Sequence, residues 1–242
     1  MKDSDLDWLL NSSESEINKG AIPLSPNETQ LSSLIMNNPL GNNKIQLPYY
    51  AEKATYSLLS GLKNQVDLLP GAIIVTDLLF VAEHTGVYVG DGNVVELYGD
   101  GSINLISIND FLNGGYKNND ISPRTGINIY TATYDGKCIA SKRVTSRALN
   151  LHKKFAGKKI SYHRLKNNCH MLSGYCFSGE GFQENTDCAF FRGLTKKIID
   201  STVPRTDKKE SFWDFLFKSE EDLPYSKNDL NKFAWTQVRS TS

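Results

Sequence analysis

The stretch from Pro70 to Tyr98, PGAIIVTDLLFVAEHTGVYVGDGNVVELY, leaves this chain few ways to fold. Ala72 to Val75 is a short apolar run behind a Pro-Gly turn, which reads as a strand. Further on, His84, Gly86, Tyr88 and Gly90 alternate with Thr85, Val87 and Val89, the period of two that a two-faced strand requires. Gly90-Asp91-Gly92-Asn93 then supplies residues that tolerate positive φ, and Val94 to Tyr98 runs back. The result is an antiparallel hairpin with His84 on one arm and Glu96 on the other. A turn centred on residues 90 and 91 sets Glu96 nearly opposite His84. A tighter Asp91-Gly92 turn pairs residue 84 with 99 and leaves Glu96 diagonal to it.

The rest of the chain alternates strand and helix signals. Tyr49 to Leu62 has helical spacing, with Ala54, Leu58, Leu59 and Leu62 on neighbouring positions. Ser102 to Ile108 offers a third strand, DFLNGG at residues 110–115 a helical turn ended by glycine, and Ile127 to Thr133 another strand. In Ser141 to Phe155 the residues Val144, Ala148, Leu151 and Phe155 recur at i, i+4, i+7 and i+11, which predicts an amphipathic helix. KKISYHRLKNNC reads as an extended entry to a helix at His170 to Phe177. Ala189 to Ile199 and Asp229 to Val238 are further helical candidates. Residues 1–45, rich in Asn, Ser and Glu, read as an N-terminal extension, and 46–200 as one α+β domain. The charged tail 201–242, with its aromatic knot Phe212, Trp213, Phe215 and Phe217, reads as a second extension.

Composition narrows the functional classes. With 27 basic and 27 acidic residues the chain has no overall charge to draw it to nucleic acid, and none is expected as a partner. The four cysteines, Cys138, Cys169, Cys176 and Cys188, form no C-x-x-C pair and suit neither a zinc ribbon nor a disulfide scaffold. The first residues are acidic and lack the apolar core of a signal peptide, and no apolar run approaches the ~20 residues of a membrane helix. The expected location is cytoplasmic, with export by a route that cleaves no signal as the alternative.

Chemistry concentrates at Asn167-Asn168-Cys169-His170 and at the hairpin. A thiolate is the competent nucleophile, and unpaired N–H groups in the first turn of a helix lower a thiol's pKa. Asn168 suits the cap of such a helix. A buried cysteine of the core is the plainer reading of Cys169. His84 is a candidate base, and Glu96 could hold its second nitrogen and favour the imidazolium, although an exposed glutamate would look the same in sequence. His170 lies about 100° round the helix from Cys169, which makes it a poor base but a possible lining residue. His163 competes with His84 without an orienting carboxylate. Cys169, His170 and Cys176 as zinc ligands are the weaker reading, because two turns between the cysteines suit core packing.

Together these stretches resemble the lecithin:retinol acyltransferase-like group of permuted papain-fold proteins, over roughly residues 68–180. The resemblance rests on the Pro-Gly strand start, on HTGVYVGDGNVVEL, on DFLNGG, and on NNCH at a helix start. Histidine precedes cysteine here, the reverse of ordinary papain-like and NlpC-type peptidases, as permutation implies. The resemblance implies an α+β fold with a small antiparallel sheet packed against helices. It also implies thiol acyl chemistry, with His84 as base, Cys169 as nucleophile and Glu96 in a third place that many animal members fill with histidine. Ala72 stands where an acidic residue often follows the Pro-Gly, and NCH replaces the more familiar NCEH. Tyr88, His170 and Asn168 are the expected substrate-facing residues. The chemistry asks for no metal or organic cofactor. Expected substrates are small-molecule or lipid acyl esters or amides, with peripheral membrane contact possible through the aromatic knot. A cysteine peptidase or amidase and a non-catalytic binding module that keeps the fold are the alternatives.

Overall fold

The structure is a computed structural model that describes residues 65–78, 82–114, 128–163, 167–181, 183–206 and 225–239. The N-terminal extension, the Tyr49–Leu62 helix and the aromatic knot lie outside the described residues.

The fold is α+β. Eight strands form one sheet: β1 (Gln65–Val66), β2 (Ile73–Leu78), β3 (Ala82–Gly90), β4 (Asn93–Leu97), β5 (Ile103–Ser107), β6 (Tyr130–Tyr134), β7 (Lys137–Cys138) and β8 (Phe233–Val238). Their order is β1-β8-β6-β2-β3-β4-β5, with β7 paired to β6, and every pairing is antiparallel except β1 with β8. Among the described residues five α-helices accompany them: α1 (Ile108–Asn113), α2 (Lys142–Lys154), α3 (Cys169–Ser178), α4 (Phe191–Thr202) and α5 (Lys227–Leu230), with a 3₁₀ helix at Gln183–Ala189. Among the described residues no helix is long and apolar enough to cross a membrane.

Strand alternation divides the core in two. Ile73, Val75, Val87, Val95 and Leu97 pack with Val144, Ala148 and Leu151 of α2, Phe155 at its C-cap, Leu172 and Tyr175 of α3, and Leu194 and Ile198 of α4. Ile74, Val94, Ile106 and Ile129 form a smaller cluster with Phe111 of α1. Helix α3 runs through the larger cluster, so its residues Cys169 to Cys176 are all buried. A helix without a solvent face needs both ends satisfied from within the protein. Arg147 of α2 donates from Nη1 to the carbonyls of Cys176 and Phe177, each at 2.9 Å, at one end. Asn168 caps the other.

The hairpin is built on the tighter turn. Asp91 and Gly92 are its centre, at φ 51° and 72°. Gly90 pairs with Asn93, the register then shifts, and Tyr88 pairs with Val94 and Gly86 with Glu96. Glu96 is therefore diagonal to His84.

Two boundaries read from the sequence are corrected. The proposed division at residue 200 falls inside α4, and residues beyond it return to the sheet: β8 lies between β1 and β6. Asp229 to Val238 is not a helix. Ser226 caps a single helical turn by accepting from Asp229 N at 3.1 Å, after which Phe233 and Trp235 point to one face as a strand. Their β-favouring side chains fill the core, at 1% and 0% exposed, and that burial outweighs any helical spacing.

Candidate functional site

Each half of the site is set by its local element. Asn168 precedes α3 with extended backbone, and its Oδ1 accepts from Met171 N at 3.0 Å, which starts the helix at Cys169. Its Nδ2 donates to the carbonyl of Ala189 at 2.8 Å and ties that start to the 3₁₀ helix. Asn168 thus serves as a cap and a strut, with both polar atoms committed to backbone. On the sheet, the second turn of α3 is joined to β3 where Ser173 Oγ donates to Thr85 Oγ1 at 3.0 Å.

His84 is 4% exposed and Glu96 0%. His84 Nε2 and Glu96 Oε2 are 2.7 Å apart. A carboxylate can only accept, so Nε2 carries a proton and Nδ1 is the nitrogen left for the thiol. Behind the imidazole stands Phe111, its ring centroid 5.3 Å away and tilted by 36°. Phe111 fits there because position 86 has no side chain. A Cβ at Gly86 would lie 2.8 Å from Val94 Cγ1 and 2.9 Å from Phe111 Cε2. The glycine of the HTG sequence is a seat for this ring. DFLNGG supplies the ring: α1 starts on Ser107, which accepts from Asp110 N, and ends at Gly114 in the left-handed conformation.

Cys169, 4% exposed, lies where the charges of both His84 and His170 act on it. Burial pushes its thiol pKa up, but His170 and then His84 pull it further down, well below the ordinary thiol value. For His84, burial opposes protonation, while Cys169 and then Glu96 favour it and prevail, so its pKa is raised. His170 is raised to about 9: burial again opposes, and Cys169 followed by Glu83 outweighs it. The other cysteines go the opposite way. Burial lifts the thiol pKa of Cys138 and of Cys176, and that of Cys188 up to about 12. All four thiols are free.

The structure therefore brings Cys169, His84 and Glu96 together and adds His170 to them. His170, read in the sequence as a poor base and a possible lining residue, acts on the thiol by its charge. Its Nε2 donates to the Glu83 carbonyl at 3.1 Å, which ties the ring to the start of β3. Tyr88 is not brought to the cysteine. Its hydroxyl accepts from Gly92 N at 3.3 Å across the hairpin turn, four residues or ~13 Å along β3 from His84. His163 is exposed, and its backbone bridges to Asn167. Among the described residues no group of three or more His, Cys, Asp or Glu could hold a metal ion. Phe111 escaped the sequence reading, and the only signal for it was the glycine two residues after the strand histidine. Neither a protein-family model nor a curated protein sequence matches the chain.

Proposed function

We propose that this chain is a cysteine-nucleophile acyl hydrolase or acyltransferase of permuted papain-like architecture, acting on a lipid-like or small acyl ester or amide. One observation carries the reading. Of four free cysteines only Cys169 has its thiol pKa lowered, and it is the one at a capped helix start next to a histidine on a buried carboxylate. Core cysteines have no need of such an arrangement, and burial alone drives a thiol the other way.

The thiolate attacks the acyl carbonyl carbon and an S–C bond forms. The electron pair of the C=O moves onto oxygen, which the N–H groups of Cys169 and His170, left without helical partners at the start of α3, are suited to receive. As the oxyanion collapses, the bond to the alcohol, amine or thiol breaks, and the imidazolium of His84 supplies the leaving group's proton. His84, now neutral, takes a proton from water or from an acceptor hydroxyl or amine that attacks the thioester. Product leaves, and thiolate and imidazolium are restored. Glu96 orients His84 throughout and stabilises its charge. Four free thiols also fit a reducing compartment, which supports a cytoplasmic location.

The test is covalent trapping. An electrophilic acyl probe is expected to label the wild-type protein, to leave Cys169→Ala unlabelled and to label His84→Ala more slowly. Intact-mass measurement after incubation with cell extract then reads the adduct. A fatty-acyl increment supports this reading, and a peptidyl increment replaces it with an amidase. Absence of labelling under any condition leaves a binding module.

A further inference from the structure

The site contains one imidazole more than a thiol-acyl mechanism needs. His170 is 9% exposed, its Nε2 is spent on the Glu83 carbonyl, and its ring packs against Phe191 with centroids 5.8 Å apart. Its Nδ1 is buried without a hydrogen-bond partner, on a side chain whose charge acts on the neighbouring sulfur. A donor buried without a partner is costly to keep, on the order of 1–3 kcal/mol, unless something takes it up during function.

Charge balance points the same way. The Glu96 carboxylate and the Cys169 thiolate are two negative charges in a site where their residues are 0% and 4% exposed. One imidazolium on His84 leaves a net buried charge, which low-dielectric surroundings oppose. A second imidazolium on His170 closes the balance. The groups that act on His170 are Cys169 in its own helix and Glu83 on β3, while His84, held by Glu96, acts on the same sulfur; from α4 its ring neighbour is Phe191.

We propose that His170 is a second catalytic histidine of this site, a standing cation beside the Cys169 thiolate whose unpartnered Nδ1–H donates a hydrogen bond to the substrate's oxyanion once the S–C bond forms. The proposal deepens the thiol-acyl reading and assigns the two histidines different work. His84 gives up and regains a proton in every cycle; His170 keeps its own. After acylation the thiolate charge is gone, His84 has lost its proton to the leaving group, and Glu96 and His170 still balance.

The test needs no substrate, so its failure is separable from failure of the acyl reading. Alkylation of Cys169 by iodoacetamide is followed between pH 5 and 9 in wild type and in His170→Gln, whose side chain keeps a donor but loses the charge. The pH of half-maximal alkylation is expected to rise by about one unit or more in His170→Gln, and on the acidic limb below it the rate to fall about tenfold. Circular dichroism melting run alongside shows whether the variant is folded. Superimposable alkylation profiles from folded proteins would overturn the proposal. If His170→Gln does not fold, proton–carbon NMR of the imidazoles in the wild type and in Cys169→Ser decides. His170 is expected to be protonated at pH 7.5 in the first and neutral in the second, and a neutral ring in the wild type sinks the idea. With four histidines in the chain the spectrum is tractable.

Discussion

At the scale of single residues, the chemistry depends on which charges are buried together. Glu96→Gln keeps a side chain of the same shape beside His84 Nε2 and removes the negative charge. The imidazolium of His84 loses part of its support, so its pKa drops. Turnover of whatever acyl substrate the trapped adduct identifies is expected to fall by on the order of 10²–10⁴, the range of general acid–base contributions. The alkaline limb of the pH–rate profile, set by loss of the His84 proton, should move to lower pH in the same variant. An unmoved limb would show that Glu96 does not tune the base. Stability carries a sign as well. His170 is raised from 6.5 to about 9 on folding, so its protonation stabilises the fold fully below pH 6.5 and that contribution is lost as pH rises towards 9. In urea titrations the gap between wild type and His170→Gln should therefore be widest near pH 6 and narrow by pH 9.5. His84, Cys169 and Glu96 were legible in the sequence because their residue types are rare on apolar strands and at helix starts. Tyr88 was misjudged for a geometric reason. It shares a strand face with His84, but two strand repeats carry its hydroxyl to the turn.

At the scale of elements, the site is a contact between the start of α3 and the β3–β4 hairpin, backed by α1. That third element explains the glycine. Gly86→Ala places a methyl against Val94 and Phe111, both in the tightly packed smaller cluster. Overpacking of this kind costs about 1–3 kcal/mol, and here the yielding part is the ring that backs His84. The expected result is a lower urea midpoint together with slower alkylation of Cys169, whereas Gly92→Ala, where a Cβ meets nothing within 4 Å, should leave the alkylation rate unchanged despite its positive φ. Equal alkylation rates in wild type and Gly86→Ala would mean that Phe111 contributes packing alone. The hairpin itself was legible, since Gly-Asp-Gly-Asn permits few turns, but its register was not. The shift between Tyr88 and Gly90 that makes Glu96 diagonal leaves no mark in residue type.

At the scale of the whole molecule, the end of the described chain holds the site's far wall. Trp235 of β8 is fully buried, donates from Nε1 to Thr195 Oγ1 at 3.2 Å, and packs on Phe191 with centroids 4.8 Å apart. Phe191 in turn packs on His170. A run of rings thus leads from a strand near residue 235 to the thiol at 169, through a segment that the sequence alone presents as a charged tail. Read in order, residues 225–239 look dispensable, because strand pairing with β6 is a contact across more than ninety positions that no local pattern announces. The fold says otherwise: β8 is an interior strand, and removing it would expose the edge of β6 and the faces of Phe191 and Leu194 that it helps to cover. Trp235→Ala is expected to cost about 3–5 kcal/mol, as deletion of a buried large aromatic does. A chain ending at residue 224 should lose cooperative unfolding altogether. With it should go the alkylation rate of Cys169 at pH 6, which ought to fall towards that of a free thiol because the helix start and both imidazoles would no longer be held together. A truncated chain that still melts cooperatively and still presents a reactive thiol at that pH would restore the tail to an appendage and detach the ring stack from the chemistry.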